Sequence, residues 1–225
     1  MKVIGPEGGR VIGLFAAEEI RSPAGLIASD FVHAVKERYK FQSIPDITSG
    51  DLSNLSFKTG EAEIQGRRFA IREFVLLTQG AVADALTTDD AEAFLRDLLE
   101  WGMQTFGWRE PITLNIRYFS AVVVEFDEPI LDLLKGFRDV CGIFNAALWN
   151  NYGLKQQYGV RNLTFSCDPA ELPSSAVATD VGIQRRLEIP FSANRFYCNG
   201  PFKSAEFINL LERAEAALKA AKAGN

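Results

Sequence analysis

The stretch from Ile112 to Phe126 constrains this chain more than any other. Ile112, Leu114, Ile116, Tyr118, Val122, Val124 and Phe126 share one parity, and Thr113, Asn115, Arg117 and Glu125 fall on the other. Side chains alternate across a strand with a period of two, so the pattern predicts a strand with one buried face and one partly wet face. A parallel, doubly wound sheet buries both faces and reads as continuous apolar runs. The alternation therefore points to an antiparallel sheet. Ser120 interrupts the buried set and marks a bulge or break.

The flanking patterns supply helices to pack on that sheet. A strand is expected from Arg10 to Ile20. Ser22-Pro23 then opens a helix with the stripe Ile27, Phe31, Ala34 and Val35, ending near Tyr39. Leu55 to Ile64 and Arg67 to Thr78 form a hairpin around Gln65-Gly66. Thr87-Thr88-Asp89-Asp90 starts a helix whose buried face is Ala91, Phe94, Leu95, Leu98 and Leu99, and Gly107 closes it. Asp127-Glu128-Pro129 opens a long helix reaching about Asn151. Its single stripe is Ile130, Leu133, Leu134, Phe137, Cys141, Phe144 and Leu148. Strands at Val160–Cys167 and Ile183–Phe191 follow. The last helix is capped by Ser204 and carries Phe207, Leu210, Leu211, Ala214 and Leu218. The expected class is α+β, a mostly antiparallel sheet with helices packed on it.

Both halves, residues 1–110 and 111–225, read strand–helix–strand–strand–helix. Leu14-Phe15-Ala16-Ala17 is similar to Tyr118-Phe119-Ser120-Ala121. Gly66-Arg67-Arg68-Phe69-Ala70-Ile71 is similar to Gln184-Arg185-Arg186-Leu187-Glu188-Ile189. Leu95, Leu98, Leu99 and Glu100 match Phe207, Leu210, Leu211 and Glu212. A tandem duplication of a β-α-β-β-α unit is the expectation, the two halves forming one compact unit.

Composition narrows the chemistry. With 225 residues, 47% apolar and 24% charged, the chain can bury a core. Its net charge of −5 argues against a nucleic-acid partner, because phosphate contacts call for a basic excess. The three cysteines, Cys141, Cys167 and Cys198, are far apart and lack C-x-x-C spacing, which argues against a disulfide framework or structural zinc. Cys141 is expected in the core and Cys198 at the surface. The first residues show no secretory apolar segment, and no run approaches the ~18 apolar residues of a membrane span. A cytoplasmic protein with no membrane contact is expected.

Catalytic signatures are missing. The single histidine, His33, sits opposite the apolar stripe of its helix and reads as surface. Without G-x-S-x-G, H-E-x-x-H, G-x-G-x-x-G or a Walker lysine, no catalytic residue, metal or cofactor is implied. The glycine-rich start (Gly5, Gly8, Gly9, Gly13) reads as a flexible lead.

One constellation stands out: Arg185, Arg186 and Arg195 near Asn194 and Tyr197, with Arg67 and Arg68 at the place matched by the presumed repeat. Paired guanidinium groups can hold an anion, a carboxylate or an acidic partner surface. They can equally guard an edge strand and pair with Glu61, Glu63 or Glu188. Arg185 shares the parity of Leu187 and Ile189, so it must pair with a carboxylate, reach solvent or face a polar cavity. Arg186 should leave the core.

Two functions follow. The first is a non-enzymatic binding or assembly protein that pairs with itself or another protein through a sheet face or edge. Phe119, Ala121 and Val123, on the second face of the long strand, motivate self-association. The alternative is a small-molecule enzyme or sensor with an arginine-lined anion site between the halves.

Overall fold

A computed structural model of the chain describes residues 1–16, 28–46, 54–128, 135–153, 158–167 and 180–223. Among them, eight strands and four helices follow the order β1 (Lys2–Leu14), α1 (Ala28–Tyr39), β2 (Asn54–Ile64), β3 (Arg67–Leu77), β4 (Gly80–Ala85), α2 (Thr88–Phe106), β5 (Asn115–Glu125), α3 (Lys135–Tyr152), β6 (Asn162–Phe165), β7 (Val181–Arg185), β8 (Arg195–Gly200) and α4 (Ser204–Ala223). The strands make one sheet in the order β2-β3-β4-β1-β5-β8-β7-β6. The pairs β1–β4, β2–β3, β3–β4, β6–β7 and β7–β8 are all antiparallel. The class is α+β, with helices on a mostly antiparallel sheet, as the alternation at β5 predicts.

The chain divides into two compact units. One comprises Pro6–Ser120 with Pro201–Ser204, and the other Met1–Gly5, Ala121–Gly200 and Ala205–Asn225. In the first, Phe31, Val32 and Val35 of α1 and Ala91, Phe94, Leu95 and Leu98 of α2 bury themselves against Phe57, Ile71 and Phe74 of the sheet. Aromatic edge-to-face contacts knit this core. Phe94 meets Tyr39 at 4.8 Å and Phe74 at 5.4 Å, and Phe57 stacks on Phe74 at 5.4 Å. The hairpin turn falls on Gln65 and Gly66, both at positive φ, as a two-residue turn demands. Thr87 caps α2, its hydroxyl accepting from the Asp90 N–H, and Gly107 ends the helix at φ 63°.

Several expectations change. The glycine-rich start is no flexible lead but lies inside β1. Gly9 lets that strand pass against the start of α2: a Cβ there would stand 2.1 Å from the Thr87–Thr88 backbone. β5 starts at Asn115, leaving Ile112 84% exposed. From Ser120 to Val124 both faces of β5 are buried, so Ala121 and Val123 are covered within the chain and offer no docking face. The Ser120 hydroxyl donates to the Phe202 carbonyl at 2.6 Å, which accounts for a polar residue in this position. The strand expected through Phe191 stops at Arg185 and turns back as β8; β4 is likewise an additional strand. The helix starts expected at Ser22-Pro23 and Pro129, and the residues Ile130, Leu133 and Leu134, lie outside the described residues.

The two halves thus run β-α-β-β-β-α, one strand longer than expected, and their strand orders correspond: β2-β3-β4-β1 and β6-β7-β8-β5. Ala91, Leu95 and Leu99 fall three, seven and eleven residues after the start of α2. Phe207, Leu211 and Glu215, all buried, occupy those places in α4.

Candidate functional site

The arginines singled out in the sequence separate into different settings. Arg67 opens β3 and pairs with Asp90 at 2.9 Å, its guanidinium over the Phe69 ring. Arg68 pairs with Glu61 at 2.8 Å, and Lys40 reaches the same carboxylate at 2.9 Å. These neighbours, the Lys40 hydrogen bond first, hold the Glu61 carboxyl below its usual range. Arg68, Lys40 and Glu61 also border a cleft of about 530 Å³ with Gln42, Thr59 and Phe69. Neither β3 nor β7 is an edge strand, so edge protection does not explain their arginines.

The repeat match between Arg67-Arg68 and Arg185-Arg186 does not survive the register. Arg68 lies opposite Glu63 beside the β2–β3 turn, whereas Arg185 closes β7 opposite Phe196, beside the turn into β8. Arg195 pairs with Glu125 at 3.1 Å. Asn194, in the left-handed region at φ 49°, donates from Nδ2 to the carbonyls of Phe126 and Glu128. It ties the β7–β8 turn to the end of β5.

Arg185, Arg186 and Tyr197 do come together. With Arg161, Gln184, Leu187 and Glu188 they line a cleft of about 160 Å³. Arg185 is 6% exposed; its guanidinium lies over the rings of Phe191 and Phe196, at 4.5 and 5.0 Å, and Nη1 donates to the Phe191 carbonyl at 2.9 Å. Arg186 is directed outward beside Glu188, at 3.3 Å. Arg161 was not singled out in the sequence. It comes opposite Arg185 because the β6–β7 register continues past Asn162↔Gln184, with the Arg185 N–H donating to the Arg161 carbonyl at 2.9 Å. All these lining residues belong to the second half of the chain.

A second feature of that half is apolar. α3 shows no buried side chain from Asp139 to Asn151. Val140, Ile143, Phe144 and Ala147 form an outward stripe at helical spacing, with Ile143 68% and Phe144 54% exposed. Cys141, Asn145 and Leu148 take the half-buried side. The helix therefore carries two apolar stripes where one was expected, and Phe144 is not core. Trp149 and Tyr158 extend the exposed surface. Tyr158 turns back on the helix: its ring meets Phe144 edge-on at 6.0 Å and its N–H donates to Asn145 Oδ1.

Cys198 is buried, not exposed, and burial pushes its thiol up to about 12. Cys167 is the exposed thiol. His33 is at the surface, as expected. No cluster of metal-ligating side chains and no helix long and apolar enough to cross a membrane occurs among the described residues. No family model matches the chain, and no curated protein matches it in sequence.

Proposed function

We propose that the chain is a non-enzymatic assembly protein, a tandem duplication whose second copy keeps its first helix uncovered to bind another molecule of the same chain. The single observation that carries this reading is the contrast between α1 and α3, the second element of each half. In α1, Phe31, Val32, Val35 and Tyr39 are buried. In α3, the corresponding helix, Val140, Ile143, Phe144 and Ala147 stand at the surface. A helix that is apolar on more than one side is a core helix, and in a water-soluble assembly a partner supplies what the fold does not.

The occupant follows from charge. From Val140 to Leu154 the sequence holds no Asp, Glu, Lys or Arg. A neutral apolar stripe has no charge by which to select an unlike partner and meets no repulsion from its own copy. Two-fold pairing, with the same patch on both subunits, is the arrangement such a surface favours. The docking element is thus a helix face rather than the sheet face or edge expected from sequence.

Hydrogen exchange at increasing protein concentration tests the reading. Amides of α3 should gain protection as concentration rises while those of α1 stay constant. Concentration-independent exchange throughout α3 would refute it.

A further inference from the structure

We infer, resting on the self-pairing of α3 proposed above, that two copies of α3 lie antiparallel about a two-fold axis level with Phe144 and Asn145, so that Asp139 of each chain meets Asn150 of the partner subunit. Asp139, Ile143, Ala146 and Asn150 follow one another at steps of four, three and four residues, the spacing that keeps side chains on one line of a helix. All four are exposed. The half-buried Cys141, Asn145 and Leu148 lie on the opposite side, so this line is the part of α3 turned farthest from its own chain.

The residues of the line select the orientation. Its large and small apolar members, Ile143 and Ala146, stand at equal distances on either side of its midpoint, and so do its carboxylate and amide, Asp139 and Asn150. An antiparallel two-fold pair exchanges the ends of the helix. Ile143 then comes level with Ala146 of the partner subunit, and a large side chain fills the space beside a small one. Asp139 comes level with Asn150 of the partner subunit, a carboxylate acceptor against an amide donor. A parallel pair instead sets Asp139 against Asp139 of the partner subunit, two like charges at one contact. It also aligns the two helix dipoles, which the antiparallel pair opposes. A face that complements itself under a two-fold rotation is what a contact between identical chains requires.

Dimer dissociation constants of charge variants at Asn150, measured by sedimentation velocity, read the orientation. In the antiparallel pair Asn150→Lys adds two opposite-charge contacts and should tighten the dimer about threefold or more at low salt. Asn150→Asp adds two like-charge contacts and should loosen it by about the same factor. The tightening should fade as salt rises. In a parallel pair each substitution meets its own copy, and both loosen the dimer. Asn151→Lys, exposed but off the line, controls for net charge and should leave the constant near the wild-type value. Far-UV circular dichroism verifies that the variants stay folded. A wild-type chain that never dimerises would remove the self-pairing and this contact with it. Three results would overturn the antiparallel contact while leaving the self-pairing intact: a wild-type dimer that both Asn150 variants loosen, one that neither variant affects, or one that Asn151→Lys tightens equally.

Discussion

Thr88 and Ser204, the first residues of α2 and α4, cap one another. The Thr88 N–H donates to Ser204 Oγ at 3.0 Å, and the Ser204 N–H donates to Thr88 Oγ1 at 2.8 Å. The two hydroxyls lie 3.1 Å apart. Each side chain thus satisfies a backbone donor that a helix start leaves open. The two residues open the last helix of each half. Thr88→Val and Ser204→Ala should each cost about 1–2 kcal/mol. The double variant should cost less than the sum, since either change removes the shared contact. Urea denaturation of the four proteins measures this; strict additivity would separate the two residues.

Much of the first half was legible. The hairpin at Gln65-Gly66 and the helix from Thr88 to Phe106 carry turn, cap and stripe signals that act over a few residues. β4 escaped because Gly80, Ala81, Ala83 and Ala85 are too small to give an apolar alternation, although they are buried. The second half was harder. Arg161 meets Arg185 only through a register spanning an irregular connection, and no local pattern encodes that. The partners of Asn194 and Glu215 are likewise distant in sequence. For α3, spacing identifies apolar stripes but cannot say which one the same chain covers.

Gly9 gives a steric prediction. A methyl group there meets backbone, which cannot rotate away. Gly9→Ala should destabilise by about 1–3 kcal/mol, the range of overpacked sites. A fall of that size in the urea midpoint, with an unchanged slope, is the expected result.

Glu215 occupies the position in α4 that Leu99 has in α2. Burial disfavours its charge, but the Met1 amine at 2.9 Å and the N–H groups of Asp127 and Glu128 at 2.7 and 3.4 Å outweigh this and hold the carboxyl below its usual range. A depressed carboxyl pKa contributes stability above the unfolded value, and that stability disappears as pH falls through the folded one. Glu215→Gln should cost roughly 1–3 kcal/mol at pH 7. The gap between the two proteins should close on acidification below the ordinary glutamate range. Denaturation curves across an acid pH series would show it; a gap constant with pH would contradict the assignment.

The cysteines should label in an order set by burial. Cys167 is exposed, whereas Cys198 is buried with its thiol pushed up to about 12. Only the thiolate reacts at an appreciable rate. Alkylation of native protein followed by peptide mass spectrometry should find Cys167 modified well before Cys198. Equal rates would mean that β8 opens readily.

Sedimentation velocity over a range of micromolar concentrations tests the central claim most directly. The wild-type chain should move reversibly from monomer to dimer as concentration rises. Ile143→Glu, which places a charge on an exposed position of the α3 stripe, should remain monomeric with unchanged circular dichroism, because a carboxylate buried in an apolar interface opposes association. A wild-type protein that stays monomeric throughout, or an Ile143→Glu variant that dimerises as the wild type does, would contradict self-assembly through α3.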